Sequence, residues 1–145
     1  MKSKSTEELK HEIKAVTDIE DYLKGNQGNL ITSTLTAHLN SLLSQKNLSK
    51  ADVVKNSNLY RTYVYQIFSG EKTPSRDILI AMAFGLHLSE EEAQTLLKIS
   101  KNRELYARDE RDAVILFAIQ RDMTIMEVND LLFEHGLQTL GAARE

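Results

Sequence analysis

Apolar side chains recur at intervals of three or four residues along most of the chain, the spacing that places them on one face of an α-helix. The clearest example begins at Thr34, where regularly spaced leucines predict a helix that ends near Lys46. An N-terminal helix is predicted from about Thr6, followed by a short helix that ends before Gly25. The remaining predicted helices are Ser49–Asn56, Tyr60–Ser69, Ser75–Gly85, Glu90–Ser100, Glu110–Arg121 and Ile125–His135.

Polar residues at the helix ends support these boundaries. A serine or threonine three residues before a glutamate is typical of a capping box, in which each side chain bonds the backbone amide of the other residue. Gly136 follows the last helix and is expected to end it in the left-handed conformation. Capping boxes are predicted at Ser5/Glu8, Thr17/Glu20, Ser89/Glu92 and Thr124/Glu127, and Ser75 is a further predicted N-cap.

Residues that interrupt secondary structure are scarce, since the chain has a single proline, Pro74, and six glycines. This composition favours helices joined by short loops over sheets, so the predicted fold class is all-α. The segment Gly25–Asn29 (GNQGN) is predicted to be a turn or short linker. The expected organisation is an N-terminal helical extension (1–30), a central domain (31–100) and a C-terminal helical region (101–145).

The composition also excludes several classes of site and suggests a location. The chain has no cysteine, so disulfides, thiolate zinc sites and cysteine nucleophiles are ruled out. The first residues are charged and lack an apolar run, so no signal peptide is expected. No apolar run is longer than that of Ala113–Ile119, which is far short of the ~18 residues that indicate a membrane span. We therefore expect a cytoplasmic protein with no membrane association.

Charge is distributed unevenly along the chain. The formal net charge is −3, which by itself argues weakly against a nucleic-acid partner. The segment Lys46–Asp77, however, has six basic and three acidic residues and a net charge of +3. Met1–Gln45 carries −1 and Ile78–Glu145 carries −5. Positive charge is therefore concentrated in one segment that could attract phosphates.

The same segment has the pattern of two short helices that cross closely at a tight turn. The turn contains Asn58, a residue type that tolerates the positive φ such a turn requires. Gly70 allows the chain to reverse after the second helix, and Pro74 precedes the next one. The positions expected at the helix contact are all apolar: Val53, Val54, Leu59, Val64 and Ile67.

These residues resemble the repressors of temperate phages and the related bacterial regulators (Cro/C1-type, XRE-like). The resemblance covers roughly residues 34–88 and implies a lambda-repressor-like, five-helix DNA-binding domain whose third helix, Tyr60–Ser69, enters the major groove. The matching positions fall in three motifs: Leu48, Ser49, Val53, Ser57 and Leu59 at the entry to the turn; Val64, Ile67 and Gly70 in the recognition helix; and Pro74, Ser75 and Leu79 after it.

The sequence departs from the family pattern at several positions. Lys50 stands where the family often has glutamine, and a lysine there can contact phosphate. Val54 replaces a small alanine and Asn58 replaces a glycine. Tyr60 occupies the position of a capping serine or threonine, so the recognition helix is expected to start at a shifted position or to be capped from Asn58. Tyr60, Tyr63 and Tyr65 make this helix unusually aromatic.

The resemblance implies two groups of contacts with double-stranded DNA. Arg61, Thr62 and Gln66 are the expected readers of base edges, with arginine suited to guanine and glutamine to adenine. Lys50, Lys55, Tyr65 and Lys72 are expected to position the phosphate backbone. Tyr60 completes the predicted DNA-binding set, although packing in the core or at an interface is the alternative for each tyrosine and is favoured for Tyr63. The alternative for Arg61 and Gln66 is that they are simply solvated.

The helices on either side of this segment each have more than one possible role. The apolar run in Ala113–Ile119 predicts a helix buried on several sides. The last helix either completes the core or forms a homodimer surface. The stripe predicted on that helix is Val128, Leu131, Leu132 and His135, and the N-terminal apolar residues that could pack on either region are Leu9, Ile13, Val16, Ile19, Tyr22 and Leu23.

The sequence carries no recognisable enzyme motif. Its four histidines are scattered and form no HExxH pair, and no glycine-rich phosphate loop or nucleophile elbow occurs. We therefore expect neither catalysis nor a metal or other cofactor. The preferred hypothesis is a sequence-specific bacterial or phage transcription regulator. Two further hypotheses are a protein-interaction module on the same scaffold, such as an antitoxin or adaptor, and more remotely a small-molecule sensor.

Overall fold

The computed structural model describes residues 4–26 and 34–141. All regular secondary structure in these two stretches is α-helical, which confirms the predicted all-α class. The predicted linker at Gly25–Asn29 lies mostly outside the described residues. The helices are α1 (Thr6–Ala15), α2 (Ile19–Gly25), α3 (Leu35–Gln45), α4 (Lys50–Ser57), α5 (Arg61–Ser69), α6 (Arg76–Gly85), α7 (Glu90–Ile99), α8 (Glu110–Gln120) and α9 (Ile125–Glu134).

Helix capping follows the sequence at most helix starts. The boxes at Ser5/Glu8, Ser89/Glu92 and Thr124/Glu127 are confirmed, as is the cap at Ser75. The box predicted at Thr17/Glu20 is wrong: Asp18 caps α2 instead, and its carboxylate accepts from the Glu20 amide at 3.1 Å. The aspartate carboxylate reaches this amide two residues on, so the threonine is not needed. Gly136 is left-handed, as predicted, with a φ of +69°.

The chain divides into two compact units, Met1–Ser33 and Thr34–Glu145. In the first unit, α1 buries none of its residues, and Tyr22 on α2 is the one apolar side chain that is buried among those described. Polar contacts join its two helices, because the Asn26 amide donates to the Glu12 carboxylate at 2.8 Å and to the Tyr22 carbonyl at 3.1 Å. Both hydrogen bonds and the buried ring of Tyr22 therefore hold this unit together.

The second unit has its core around α6, in which every residue from Ile78 to Gly85 is buried. This helix packs against α4, α7 and α9. A Cβ atom at Gly85 would lie 2.9 Å from the Ser57 Cβ and 3.0 Å from the Val53 carbonyl oxygen. Glycine at this position therefore lets α6 approach α4 closely, which supports the helix pair that carries the candidate site.

The C-terminal helices contribute to the same core. Ile115 and Ala118 on α8 and Val128 and Leu132 on α9 are all fully buried, which confirms the predicted burial of the apolar run in α8. In that run Ala113 and Val114 are half-buried, and Phe117 is exposed over 44 % of its surface. The stripe predicted on α9 is wrong at its end, because His135 is exposed.

The segment after α9 returns to the turn between α4 and α5. The side chain of Asn129 fixes this segment by two hydrogen bonds to Leu140. Its Nδ2 donates to the Leu140 carbonyl at 2.8 Å, and its Oδ1 accepts from the Leu140 backbone amide at 2.7 Å. Leu140 is buried, and a Cβ at Gly141 would lie 2.9 Å from the Ser57 carbonyl oxygen. The C-terminal segment therefore packs beside the turn between α4 and α5.

Candidate nucleic-acid interface

The helix pair α4–α5 is joined by a tight left-handed turn. Asn58 has a φ of +61°, which confirms the positive φ expected there. The next residue, Leu59, is buried in the core and anchors the turn. Gly70 ends α5 with a φ of +87°, and a Cβ there would come within 3.1 Å of the Thr36 hydroxyl oxygen. Both ends of α5 are therefore fixed by backbone conformation.

Tyr60 is the N-cap residue of α5. It has extended backbone angles, and its side chain makes no capping hydrogen bond. Its carbonyl accepts from the Val64 amide at 3.0 Å, so the first turn of the helix forms without help from a capping side chain. Tyr60 therefore keeps the N-cap position, and the expected shift of the helix start is not observed. The first helical residue is Arg61, one residue after the predicted start at Tyr60.

The exposed side of α5 forms one wall of an open concavity of about 550 Å³. Five of the eight predicted DNA-binding residues line it. We call this surface the cationic concavity, and its lining residues are Lys50, Arg61, Thr62, Tyr65, Gln66, Ser69 and Glu71.

Three predicted site residues lie outside that lining. Lys55 is exposed in the last turn of α4, and Lys72 is exposed in the loop after α5. Tyr60 is 45 % exposed at the start of α5. The structure therefore brings Lys50 of α4 together with the predicted residues of α5 and leaves these three outside the lining.

Tyr65 is the contact point of the two basic side chains in the concavity. The Lys50 ammonium lies 5.6 Å from the centre of its ring and the Arg61 guanidinium carbon lies 5.9 Å from it. An Arg61 nitrogen also lies 3.5 Å from the tyrosine hydroxyl oxygen. Cations within about 6 Å of an aromatic face are attracted to it. The ring therefore holds two positive charges at the mouth of the concavity.

The other tyrosines of α5 differ in burial. Tyr63 is only 6 % exposed and belongs to the core, which agrees with the packing role favoured for it. Tyr65 is 40 % exposed, so much of its ring remains accessible beside the two cations. Tyr63 therefore packs in the core, whereas Tyr65 forms part of the exposed surface of α5.

The positive charge of Lys46–Asp77 is not all at this surface. Lys46 pairs with Glu92 at 2.7 Å and Arg76 pairs with Asp112 at 2.8 Å. Lys50 and Arg61 form no ion pair with any described residue, so their charges remain available to a ligand. The same holds for Lys55 and Lys72, which are exposed outside the lining.

Asp52 lies on α4 close to this surface but is engaged in a cap. The Ser49 backbone amide donates to its carboxylate at 2.8 Å and, together with the Ser49 hydroxyl, lowers the pKa of Asp52. The sequence interpretation missed this capping box, because aspartate stands where the usual pattern has glutamate. The carboxylate is therefore satisfied by its own helix start.

The sequence interpretation also missed Ser69 and Glu71. The Glu71 carboxylate accepts a hydrogen bond from the Gln66 amide nitrogen at 3.2 Å, and the Ser69 hydroxyl donates to the Gln66 carbonyl at 3.0 Å. The signal that could have found them is Gly70, whose left-handed conformation turns the chain back over the end of α5. Glu71 therefore belongs to a surface that is otherwise rich in positive charge.

The described residues contain no group of three or more histidine, aspartate or glutamate side chains placed to hold a metal ion. Within the same residues, no helix has both the length and the apolar character needed to cross a membrane.

Comparison with known proteins found no matching family model, no similar curated protein and no similar solved structure.

Proposed function

We propose that this protein is a sequence-specific DNA-binding regulator that acts by occupying an operator, with α5 in the major groove of double-stranded DNA. The observation that carries the proposal is the cationic concavity. Lys50 and Arg61 meet there around the exposed ring of Tyr65, on the outer side of a helix fixed by a left-handed turn. Basic side chains that form no ion pair, beside polar side chains on such a helix, suit phosphates and base edges.

The resemblance to the Cro/C1-type regulators supports the same proposal. Helices α3 to α7 would be the five helices of a lambda-repressor-like domain, with α4 and α5 as its helix-turn-helix. Arg61, Thr62 and Gln66 would read bases, while Lys50 and Tyr65 would hold the backbone. Lys55, Lys72 and Tyr60 would make contacts at the margin of the interface.

The experiment is a fluorescence anisotropy titration with a pool of duplex DNA fragments at several salt concentrations. We expect binding that weakens steeply as salt rises, because each phosphate contact releases counterions. Absence of binding at low salt would contradict the proposal.

Arg61→Ala tests the site within this experiment. We expect its affinity for the selected sequence to fall by about 5- to 150-fold, the loss typical of one good base contact. Arg108→Ala is the matched control, because it removes the same charge from an exposed position outside the concavity. Equal losses in the two variants would show that only net charge matters.

A protein-interaction module is the second candidate function. Exposed Tyr60 and Tyr65 favour it, because tyrosine is enriched at protein interfaces. An antitoxin or an adaptor for a neighbouring enzyme would use the same face of α5. The duplex titration separates the two candidates, since a protein-binding face gives no steep salt-dependent affinity for DNA.

A further inference from the structure

Among the described residues that line the cationic concavity, Glu71 is the one carboxylate. It follows left-handed Gly70, and its backbone amide donates to the Gln66 carbonyl at 2.9 Å and to the Ser69 hydroxyl oxygen at 3.4 Å. Its side chain accepts from the Gln66 amide nitrogen at 3.2 Å. Backbone and side chain are both tied to the last turns of α5, so the carboxylate has a defined place beside the proposed reading surface.

No lysine, arginine or histidine among the described residues forms an ion pair with Glu71. A carboxylate held at a DNA interface is repelled by phosphates and loses water when the complex forms. This cost is offset only if the DNA offers it a hydrogen-bond donor. The location of Glu71 therefore restricts what the concavity can bind well.

The major groove offers few such donors. The exocyclic amines are N4 of cytosine and N6 of adenine, whereas guanine and thymine present acceptors there. A carboxylate can only accept, so it pairs with an amine and is repelled by O6, O4 and N7.

Gln66 adds to this preference. Its hydrogen bond to a carboxylate requires the NH2 end of the amide to face Glu71, because two oxygens would repel each other. The Gln66 side-chain oxygen then points to other partners as a second acceptor. The two side chains together present acceptors on one side of the concavity, while Arg61 presents donors on another.

We infer that Glu71, together with Gln66, is a specificity-determining residue that selects an amine-bearing base, cytosine or adenine, at one position of the bound DNA. This inference rests on the proposed function. One well-made base contact gives about 5- to 150-fold discrimination against the wrong base. Glu71→Gln, which can donate as well as accept, should remove most of that preference and leave affinity for the DNA unchanged or higher.

The test is selection of bound sequences from a pool of randomised duplexes, followed by titration of four duplexes that differ only at the position in question. The wild-type protein should favour cytosine or adenine there, and the four duplexes decide between the two bases. Glu71→Gln should flatten that position alone. Glu91→Gln is the matched control, since it removes an exposed carboxylate on α7 away from the lining.

The outcomes separate this inference from the proposed function. If Glu71→Gln binds with the same preference as the wild-type protein at every position, the inference is overturned and the proposed function stands. If Glu91→Gln flattens the same position, the effect is one of net charge and the inference also fails. If the wild-type protein binds no duplex, both the proposed function and the inference are overturned.

Discussion

Two regions of the molecule use basic side chains in opposite ways. In the cationic concavity, Lys50 and Arg61 lie at the surface around Tyr65 and pair with no described carboxylate. Between α6 and α8, Arg76 and Arg111 lie in ion pairs and are largely shielded from solvent, with 17 % and 19 % of their side-chain surface exposed. We call the second region the ion-pair junction, and it consists of Arg76, Asp77, Arg111 and Asp112.

The ion-pair junction is almost completely satisfied by hydrogen bonds. Arg76 contacts both oxygens of Asp112 and also donates to the carbonyls of Arg103 and Glu104 at 2.7 and 3.0 Å. The Asp112 carboxylate is 2 % exposed and accepts from the Tyr106 amide as well. Arg111 donates to both oxygens of Asp77 at 2.9 and 3.0 Å. These bonds connect α6 to α8.

The difference between the two regions shows that the net charge counted along a segment does not reveal which basic side chains can still bind a ligand. Arg76 and Lys46 add to the net charge of +3 counted over Lys46–Asp77, yet both are engaged by carboxylates elsewhere in the chain. A planar guanidinium with two carboxylate contacts contributes to structure, whereas one stacked on an exposed ring can still bind a ligand.

The largest expected effect comes from breaking the ion-pair junction. Arg76→Ala leaves the Asp112 carboxylate buried without its main partner, which costs about 3–5 kcal/mol for pairs of this kind. Urea unfolding followed by circular dichroism measures this loss. Arg103→Ala is the control, because Arg103 is 60 % exposed and lies 3.9 Å from the same carboxylate. Its cost should stay below about 1 kcal/mol, and equal losses would show that the buried pair has no special role.

Much of the fold could be predicted from the sequence because its signals are local. Helix spans, three of the four predicted capping boxes and the left-handed Asn58 each depend on residues within one or two turns of one another. The prediction failed at Thr17, where Asp18 competed for the same amide group. Local patterns therefore predicted most helices and caps. They assigned the wrong capping residue to α2, where two candidate residues are adjacent.

The parts that could not be predicted are contacts between residues distant in the chain. The partners Arg76 and Asp112 are 36 residues apart, and no spacing rule relates them. The same is true of the packing of Gly141 beside Ser57. In the candidate site, the predicted base readers of α5 share a helix face and could be grouped from the sequence. Glu71 is not on that helix face, and only the chain reversal at Gly70 indicates that it lies beside them.

An intermediate effect is expected at Tyr65, whose ring contacts both Lys50 and Arg61. Tyr65→Ala removes the face that holds Lys50 and Arg61, so the affinity for duplex DNA should fall by roughly two- to fivefold for each cation released. Tyr65→Phe keeps the ring and loses the hydroxyl group, with its contact to Arg61 at 3.5 Å and its proposed contact with phosphate, so it should lose less affinity than Tyr65→Ala. Anisotropy titrations measure both variants. A large loss in Tyr65→Phe would mean that the hydroxyl group, rather than the ring, is the important contact.

The smallest effect is expected at Lys46. Its charge belongs to the basic segment Lys46–Asp77, but it forms an ion pair with Glu92, as the arginines of the ion-pair junction do with their aspartates. Burial raises the pKa of the Glu92 carboxyl, but the Lys46 ammonium and the Ser89 amide outweigh it and lower that pKa overall. A lowered pKa in the folded state means that the ion pair stabilises the protein at neutral pH. This contribution is lost as the pH falls below ~4.3, the ordinary value for glutamate, and through the lowered pKa.

Lys46→Met should therefore reduce the free energy of unfolding at pH 7 by up to about 1 kcal/mol, because the pair is only partly buried. The difference from the wild-type protein should shrink as Glu92 becomes protonated, which urea unfolding at a series of pH values measures. Lys98→Met is the control, since Lys98 lies 3.9 Å from Glu104 and is 65 % exposed. A difference that persists unchanged at low pH would show that the lysine acts through packing of its methylene chain and not through its charge.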